Sequence, residues 1–532
     1  MTKVDSFDYK GSLNMLLKHH PKHQKIIKKA FKYCIEKHKG QFRKTLEPYD
    51  QHPITVALKL NELHADYQTI CAALLHDVIE DCHVTYKELC EEFGEVKGTG
   101  KNAEKDVTIA KLVEGCTAVG SLDPKENETS EEKEIRHNKT INKIILSIEE
   151  DPRVALIKLM DRVHNMETIN GFSDSNPKER AKKIQKSEEA LIIYASIAKI
   201  LGLYDVKEQL EERAFRVLYP AIAKEIQDTK NERYNNDDFL SLISPLDNEN
   251  GIAQRISHRI IEISKDLFKN EISEDDFKIE VKIKGNYGIY NRKTKKNLHD
   301  ISQVHDLIKF KVTTKDEQLA RFAYCVVSSM FPLMNTPGYE IRDYISDPKY
   351  PFYKCIKAYY EIGTEINSYI AQFEFKDEEQ SRRASLGLAS YWNYDEYEDC
   401  NIKDIMKSSI RNEFPFYKPL TQLCSLYKQG KVDDDDFKKR LINIIFADMI
   451  VITVDYSRDN ELCRNIRPFQ YYPTYEGSRI ADIIIDLNGG FIDNNAKYFV
   501  NDKEVDASYV LQNNDVFREE SRVIRKMSIT KR

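Results

Sequence analysis

The 532-residue sequence contains no pair of cysteines at Cys-x-x-Cys spacing, although ten cysteines are scattered along it. This argues against a thiolate zinc module or a disulfide framework and suits a reducing compartment. There is no surplus of positive charge. The formal net charge is −6 and the pI is about 6.2, so binding to nucleic acid by bulk charge is not expected and DNA is not an expected partner. No apolar run is long enough to cross a membrane: the longest, LINIIFADMIVITV, is broken by Asn443 and Asp448. The opening MTKVDSFDYK lacks an apolar signal core. Internal repeats and low-complexity tracts are absent too. The expectation is a cytoplasmic protein with no membrane partner. What is present, 41% hydrophobic and 32% charged residues, is enough for sizeable cores in about three domains.

From residue 12 to about 222 the helical period dominates, and the region reads as all-helical. Thr85 and Glu88 form a capping box, so one helix starts there and the preceding one ends near Asp81. Asn176 followed by Pro177 marks another start. After Pro220 the composition turns polar and turn-rich. From about 278 alternating stretches, FKIEVKIKG and DLIKFKVTT, interleave with helical patterns to about 400, which argues a mixed α/β domain. Residues 405 to 446 read as helical. Short strands and turns follow, as in a small β-rich module.

The stretch AALLHDVIED raises the question of a metal site. Read as one helix through Asp81, it stacks His76 with Glu80 and Asp77 with Asp81. A histidine alone in such a helix is more often a satisfied core residue. Two further stretches shift that balance: EPYDQHPITVALKL carries His52, and VALIKLMDRVHNMETI carries Asp161, each where a polar group meets a buried helix. An unpaired acid there is costly. His52, His76, Asp77 and Asp161 make a mixed nitrogen–oxygen set that suits Mn2+, Fe2+ or a similar octahedral ion better than thiolate-bound zinc. Such an ion can activate water. Glu80 and Asp81, one turn away, are placed to orient or deprotonate that water or to protonate a leaving oxygen. His83 is expected to be exposed beyond the helix end. His164, read as packing or as standing behind the ligands, is left outside the set.

HKGQFRKTLEPYDQHPITVA, AALLHDVIED, LVEGCTAV and ALIKLMDRVHNMET resemble, in order and spacing, the hydrolase motifs of the RelA/SpoT homologue family. The resemblance implies a multidomain α and α+β fold: an all-helical HD-type hydrolase domain (1–222), a mixed α/β, nucleotidyltransferase-like synthetase domain (223–404), a helical connector (405–446), a small β-rich TGS domain (447–520) and a tail (521–532). It implies Mn2+-dependent removal of the 3′-pyrophosphate from guanosine tetra- or pentaphosphate in the stringent response. His52, His76, Asp77 and Asp161 fall on the family's metal ligands, and Glu80 and Asp81 on its catalytic acid pair. Arg43, Lys44, Asn165 and Thr168 fall on nucleotide-contacting positions.

The middle region resembles the family's alarmone synthetase in eroded form. VKIKGNYGIYNRK keeps Lys284, Tyr287 and Tyr290 of a basic-and-aromatic strand motif, with Lys282 and Gly288 in place of arginine and serine. Asp306 falls on a Mg2+ ligand and Tyr353 on a base-stacking tyrosine. Pro351 and Lys357 replace the family's asparagine and histidine, and Tyr391 its other histidine. The family's catalytic glutamate aligns with Gln372, or with Glu374 after a short slip. An amide is neither a general base nor a charged ligand, so the synthetase is expected to be inactive and Mg2+ to matter only if it is not. The last module resembles a TGS domain, which implies a tRNA or ribosome contact, although Asn488 replaces the histidine used for it. The alternatives are a bifunctional synthetase–hydrolase, a nucleotide- or ribosome-sensing regulator, and a hydrolase of another phosphorylated nucleotide.

Overall fold

The computed structural model describes residues 7–97, 104–118, 151–234, 251–267, 272–295, 307–334, 339–346, 353–363, 368–391, 449–455, 469–475, 496–512 and 515–520, with shorter pieces between them. The chain divides into two compact units, Met1–Met406 and Lys407–Arg532.

The first half of the larger unit is built from helices α1 (Tyr9–Lys18), α2 (Gln24–Lys37), α3 (Gln51–Glu62), α4 (Tyr67–Leu75), α5 (Val78–Cys82), α6 (Tyr86–Phe93), α7 (Thr108–Ala118), α8 (Pro152–Glu167), α9 (Pro177–Glu189), α10 (Ala195–Ile200), α11 (Tyr204–Leu218) and α12 (Pro220–Tyr234). Both expected starts are real. Thr85 and Glu88 close a reciprocal capping box on α6, and Asn176 accepts from the backbone of Lys178 and Glu179 ahead of Pro177.

Two expectations need correction. The region is not wholly helical, because Glu95–Lys97 (β1) pairs antiparallel with Glu104–Asp106 (β2). The cause is local: Gly94 leaves helical geometry for an extended conformation. Nor does one helix run through AALLHDVIED. α4 ends at Leu75, and Asp77, at φ −102° and ψ −5°, caps a separate short helix α5. His76 and Asp77 are turn residues between the two helices.

The second half adds α13 (Ile252–Leu267), α14 (Asn286–Lys295), α15 (Glu317–Met330) and α16 (Glu378–Leu386) around strands β3 (Phe277–Ile283), β4 (Ile308–Thr314), β5 (Arg342–Asp343), β6 (Ile356–Gly363) and β7 (Ser368–Asp377). The sheet order is β3-β4-β7-β6-β5. Only β4 and β7 run parallel. The period-2 pattern turns Ile308, Phe310 and Val312 of β4, with Phe373 and Phe375 of β7, into one apolar core. The opposite face carries Lys309, Gln372, Glu374 and Lys376. Tyr287 and Tyr290, expected on a strand, lie on α14. There they meet α11: Glu212 accepts from the Tyr287 backbone at 3.0 Å, and Phe215 and Tyr290 rings lie 5.0 Å apart.

The second unit holds β8 (Met449–Asp455), β9 (Phe469–Tyr475), β10 (Lys497–Val500), β11 (Lys503–Val505) and β12 (Val516–Glu520) in the order β11-β10-β12-β8-β9. It is β-rich, as the strand-and-turn pattern implied. Asn488 and most of 405–446 lie outside the described residues. Among the described residues no helix is long and apolar enough to cross a membrane.

Candidate metal centre

Three helical segments meet at one polar point inside the first helical region. His52 lies in the first turn of α3, whose Ile54, Val56, Ala57 and Leu60 are fully buried. α4 is anchored by Asp66, which accepts from the backbone of Gln68 and Thr69. Its last seven residues are buried, so its C-terminal end delivers His76 and Asp77 deep into the domain. α8 starts on the Asp151 cap with Pro152 behind it and is buried along most of its length. It presents Lys158, Asp161, His164 and Asn165 at three- and four-residue spacing, hence on one face.

The four expected ligands come together. His52 Nε2 lies 3.1 Å from Asp161 Oδ1 and 3.5 Å from Asp77 Oδ2. His76 Nε2 lies 3.2 Å from Asp77 Oδ1 and 3.9 Å from Asp161 Oδ1. Among the described residues, His52, His76 and Asp77 form the one cluster whose ligand atoms all lie within 4.8 Å of one another.

The residues fit a divalent cation. His76 Nδ1 sits 2.7 Å from the Ala73 carbonyl oxygen and must donate to it. Its Nε2 then carries a lone pair. That atom is buried and has no hydrogen-bond partner, yet it faces a carboxylate oxygen. Two electron-rich atoms at that distance call for a positive charge between them, and two imidazoles with two carboxylates are an octahedral-ion donor set.

The surrounding charges agree. Burial opposes ionisation of Asp161, but its neighbours, the buried Lys158 ammonium among them, hold its carboxyl well below the usual range. Burial lowers the His52 pKa despite the neighbouring Asp161, which favours a neutral, metal-binding imidazole. Burial raises the Glu80 carboxyl, against the pull of Lys158.

Glu80 and Asp81 stand on α5 at the exposed edge of the site. Glu80 Oε1 is 4.0 Å from Lys158 Nζ. Arg43 reaches in from the preceding loop and donates to Asn165 Oδ1 at 2.6 Å. Asn165 in turn donates to Asp161 Oδ1 at 2.6 Å. Lys44 lies outside this knot, paired with Glu179 at 3.0 Å and 61% exposed. Thr168 caps α8, its hydroxyl donating to the His164 carbonyl at 3.1 Å. His83 is exposed, as expected.

Two residues at the centre escaped the sequence reading, and a third, His164, was weighed there but left outside the ligand set. Tyr49 donates to Asp77 Oδ2 at 3.0 Å. Lys158 is buried beside the acids. His164 Nδ1 lies 2.6 Å from His52 Nδ1. Helical spacing from Asp161, three residues back and three forward, was the available signal for the last two.

In the mixed region Gln372 and Glu374 sit side by side, each 2% exposed. Glu374 Oε1 accepts from Gln372 Nε2 at 2.9 Å, from Tyr353 Oη at 2.7 Å and from Lys309 Nζ at 2.9 Å. Lys376 Nζ stands 3.7 Å from its other oxygen. Lys284 follows β3, its backbone N–H bonded to the Leu307 carbonyl at 2.8 Å. At Gly288 a Cβ would come within 2.9 Å of Lys284 Cγ. Asp306 and Pro351 lie outside the described residues.

Residues 30–204 match the family described as HD domain, and residues 281–399 match the region found in RelA / SpoT proteins. Over 397 residues the chain is 34% identical to a guanosine-3′,5′-bis(diphosphate) 3′-pyrophosphohydrolase of Aquifex aeolicus, an alignment covering 74% of this chain and 50% of that protein. It is 29% identical over 448 residues to a GTP pyrophosphokinase of Myxococcus xanthus, covering 84% and 52%. It is 29% identical over 386 residues to a guanosine-3′,5′-bis(diphosphate) 3′-pyrophosphohydrolase of Borreliella burgdorferi, covering 72% and 50%. The chain thus spans about half the length of the curated relatives it matches. With an HD domain and a RelA/SpoT region in succession, and with these relatives, the chain belongs to the RelA/SpoT family.

Proposed function

We propose that this chain removes the 3′-pyrophosphate from guanosine tetra- or pentaphosphate, leaving GDP or GTP, with Mn2+ held by His52, His76, Asp77 and Asp161. The observation that carries the reading is the quartet itself, three of its members buried, with His76 Nε2 lacking a hydrogen-bond partner and aimed at an acid. The printed activity of the Aquifex relative supports the substrate. When bound, the cation supplies Lewis acidity at the scissile phosphate.

The chain's own groups do the rest. Arg43 and Lys44 meet the polyanionic substrate, and their positive charge is what phosphates call for. In this reading Asn165, on α8, and Thr168, at its C-terminal end, contact the nucleotide. Asp81 takes a proton from the attacking water. Glu80, whose carboxyl burial holds up, gives one to the departing 3′ oxygen. Water is thereby added across the phosphorus–oxygen bond, with one proton taken and one returned.

We read the synthetase centre as inactive. Gln372 brings an amide where a base is needed. Glu374, the only acid within a short slip of it, is committed to Lys309, Lys376, Tyr353 and Gln372. The β-rich second unit we read as the TGS-like module. The test is pyrophosphate release from guanosine tetraphosphate by the purified chain with Mn2+, with EDTA, and for Asp77→Ala. Release is expected only with metal and the intact aspartate. No release with any divalent metal removes the reading. A parallel incubation with ATP, GDP and Mg2+ is expected to give no alarmone, and product above a no-enzyme control would establish the bifunctional alternative.

A further inference from the structure

Arg43 does something the substrate-binding role does not require. Its Nη1 lies 2.9 Å from His164 Nδ1, and its Nη2 donates to Asn165 Oδ1 at 2.6 Å. A guanidinium can only donate. His164 Nδ1 is therefore the acceptor and carries no proton. His52 Nδ1 lies 2.6 Å from that same atom, whose single lone pair is then shared between the two donors. Two bare nitrogens do not approach so closely, so the proton of the neutral His52 ring is on Nδ1. That leaves His52 Nε2 bare, facing Asp161 and Asp77. The second arm runs through Asn165, whose amide accepts from Arg43 and donates to Asp161 Oδ1 at 2.6 Å.

The geometry points to His164 and Asn165 as positioning residues through which Arg43, a nucleotide-pocket residue, holds two metal ligands ready: His52 in its metal-binding tautomer and Asp161 in its orientation. This rests on the metal reading above and deepens it. Orienting groups behind a ligand are worth about 10- to 100-fold in metal affinity.

Arg43 then has a duty in the absence of nucleotide, and that is measurable. Mn2+ affinity of the full chain is taken by titration calorimetry without nucleotide, for the parent and for His164→Leu, His164→Gln and Arg43→Met. His164→Leu and Arg43→Met are expected to bind Mn2+ about 10- to 100-fold more weakly. His164→Gln is expected to stay within a few fold, because its side-chain oxygen still accepts from His52 Nδ1–H. In parallel, NMR of histidine-labelled, deuterated protein without metal is expected to show the His52 proton on Nδ1 in the parent and on Nε2 in His164→Leu. A correctly folded His164→Leu that binds Mn2+ as the parent does overturns the proposal, as does a parent His52 protonated on Nε2. Failure of the metal reading looks different: the parent binds no divalent ion, while the His52 tautomer still follows residue 164 and supports the relay.

Discussion

Glu374→Gln is the perturbation that best separates a structural acid from a spare catalytic one. The carboxylate is 2% exposed. Lys376, itself 3% exposed, holds its Nζ 3.7 Å away. At an effective dielectric of about 20, charges at that distance attract by about 4.5 kcal/mol before desolvation. Lys309 is closer, at 2.9 Å, but a third exposed, so solvent screens much of its share. Removing the acid leaves the Lys376 ammonium buried without a counter-charge, and breaking a buried pair in this way costs about 3–5 kcal/mol. Burial raises the Glu374 carboxyl, but Lys309 and Lys376 more than offset this, so its folded-state pKa lies below the ordinary 4.5. A depressed carboxyl stabilises the fold above its unfolded pKa and loses that contribution as pH falls. The gap between parent and variant is therefore expected to be full at pH 7 and to narrow below about 4.5. Urea unfolding at pH 7 and pH 4, followed by the loss of sheet signal, measures it. Glu374→Gln/Lys376→Met is expected to recover at least about 2 kcal/mol, since the stranded charge is gone. A single variant within about 1 kcal/mol of the parent at pH 7 would refute the internal lock and reopen Glu374 as a functional acid.

Two further outcomes follow from features away from the site chemistry. His20 is buried, and burial, helped by His19 and His23 against Asp66, lowers its pKa from 6.5 to about 4. The unfolded chain binds the extra proton between those values, so the fold is expected to lose about 2 kcal/mol on going from pH 7.5 to pH 5 through this group; in matched denaturant titrations of His20→Gln that part of the slope should vanish, and an unchanged slope counts against it. Leu46, 83% exposed, holds φ at 67°, a left-handed conformation that costs a non-glycine residue about 1 kcal/mol. Leu46→Gly is expected to stabilise the chain by about 0.5 kcal/mol and Leu46→Val to destabilise it, while equal midpoints for the two would show that the loop relaxes.

Caps and periodicity were read directly because they are local. The Thr85–Glu88 box and the Asn176–Pro177 start depend on residues within one turn. The alternation of β4 depends only on which face is buried. The break between His76 and Asp77 was not readable, since AALLHDVIED has a good helical pattern. The chain gives up that continuity where both side chains turn toward partners on α3 and α8. Tyr287 and Tyr290 were misplaced for the same kind of reason: they sit on a helix packed against α11, a partner some seventy residues away.

The order of motifs, the two imidazoles and two carboxylates, and the amide at position 372 were present in the residues alone, because side-chain chemistry travels with identity. Tertiary structure decided which groups meet. It brought His52, His76 and Asp161 within about 4 Å from three helices, placed Tyr49 and Lys158 against the acids, and threaded Arg43 through His164 to the far side of a ligand. It also tied Glu374 to two lysines on neighbouring positions of the sheet. Proton placement and pKa depend on burial and on charges a few ångströms away, and those distances exist only once the chain is folded.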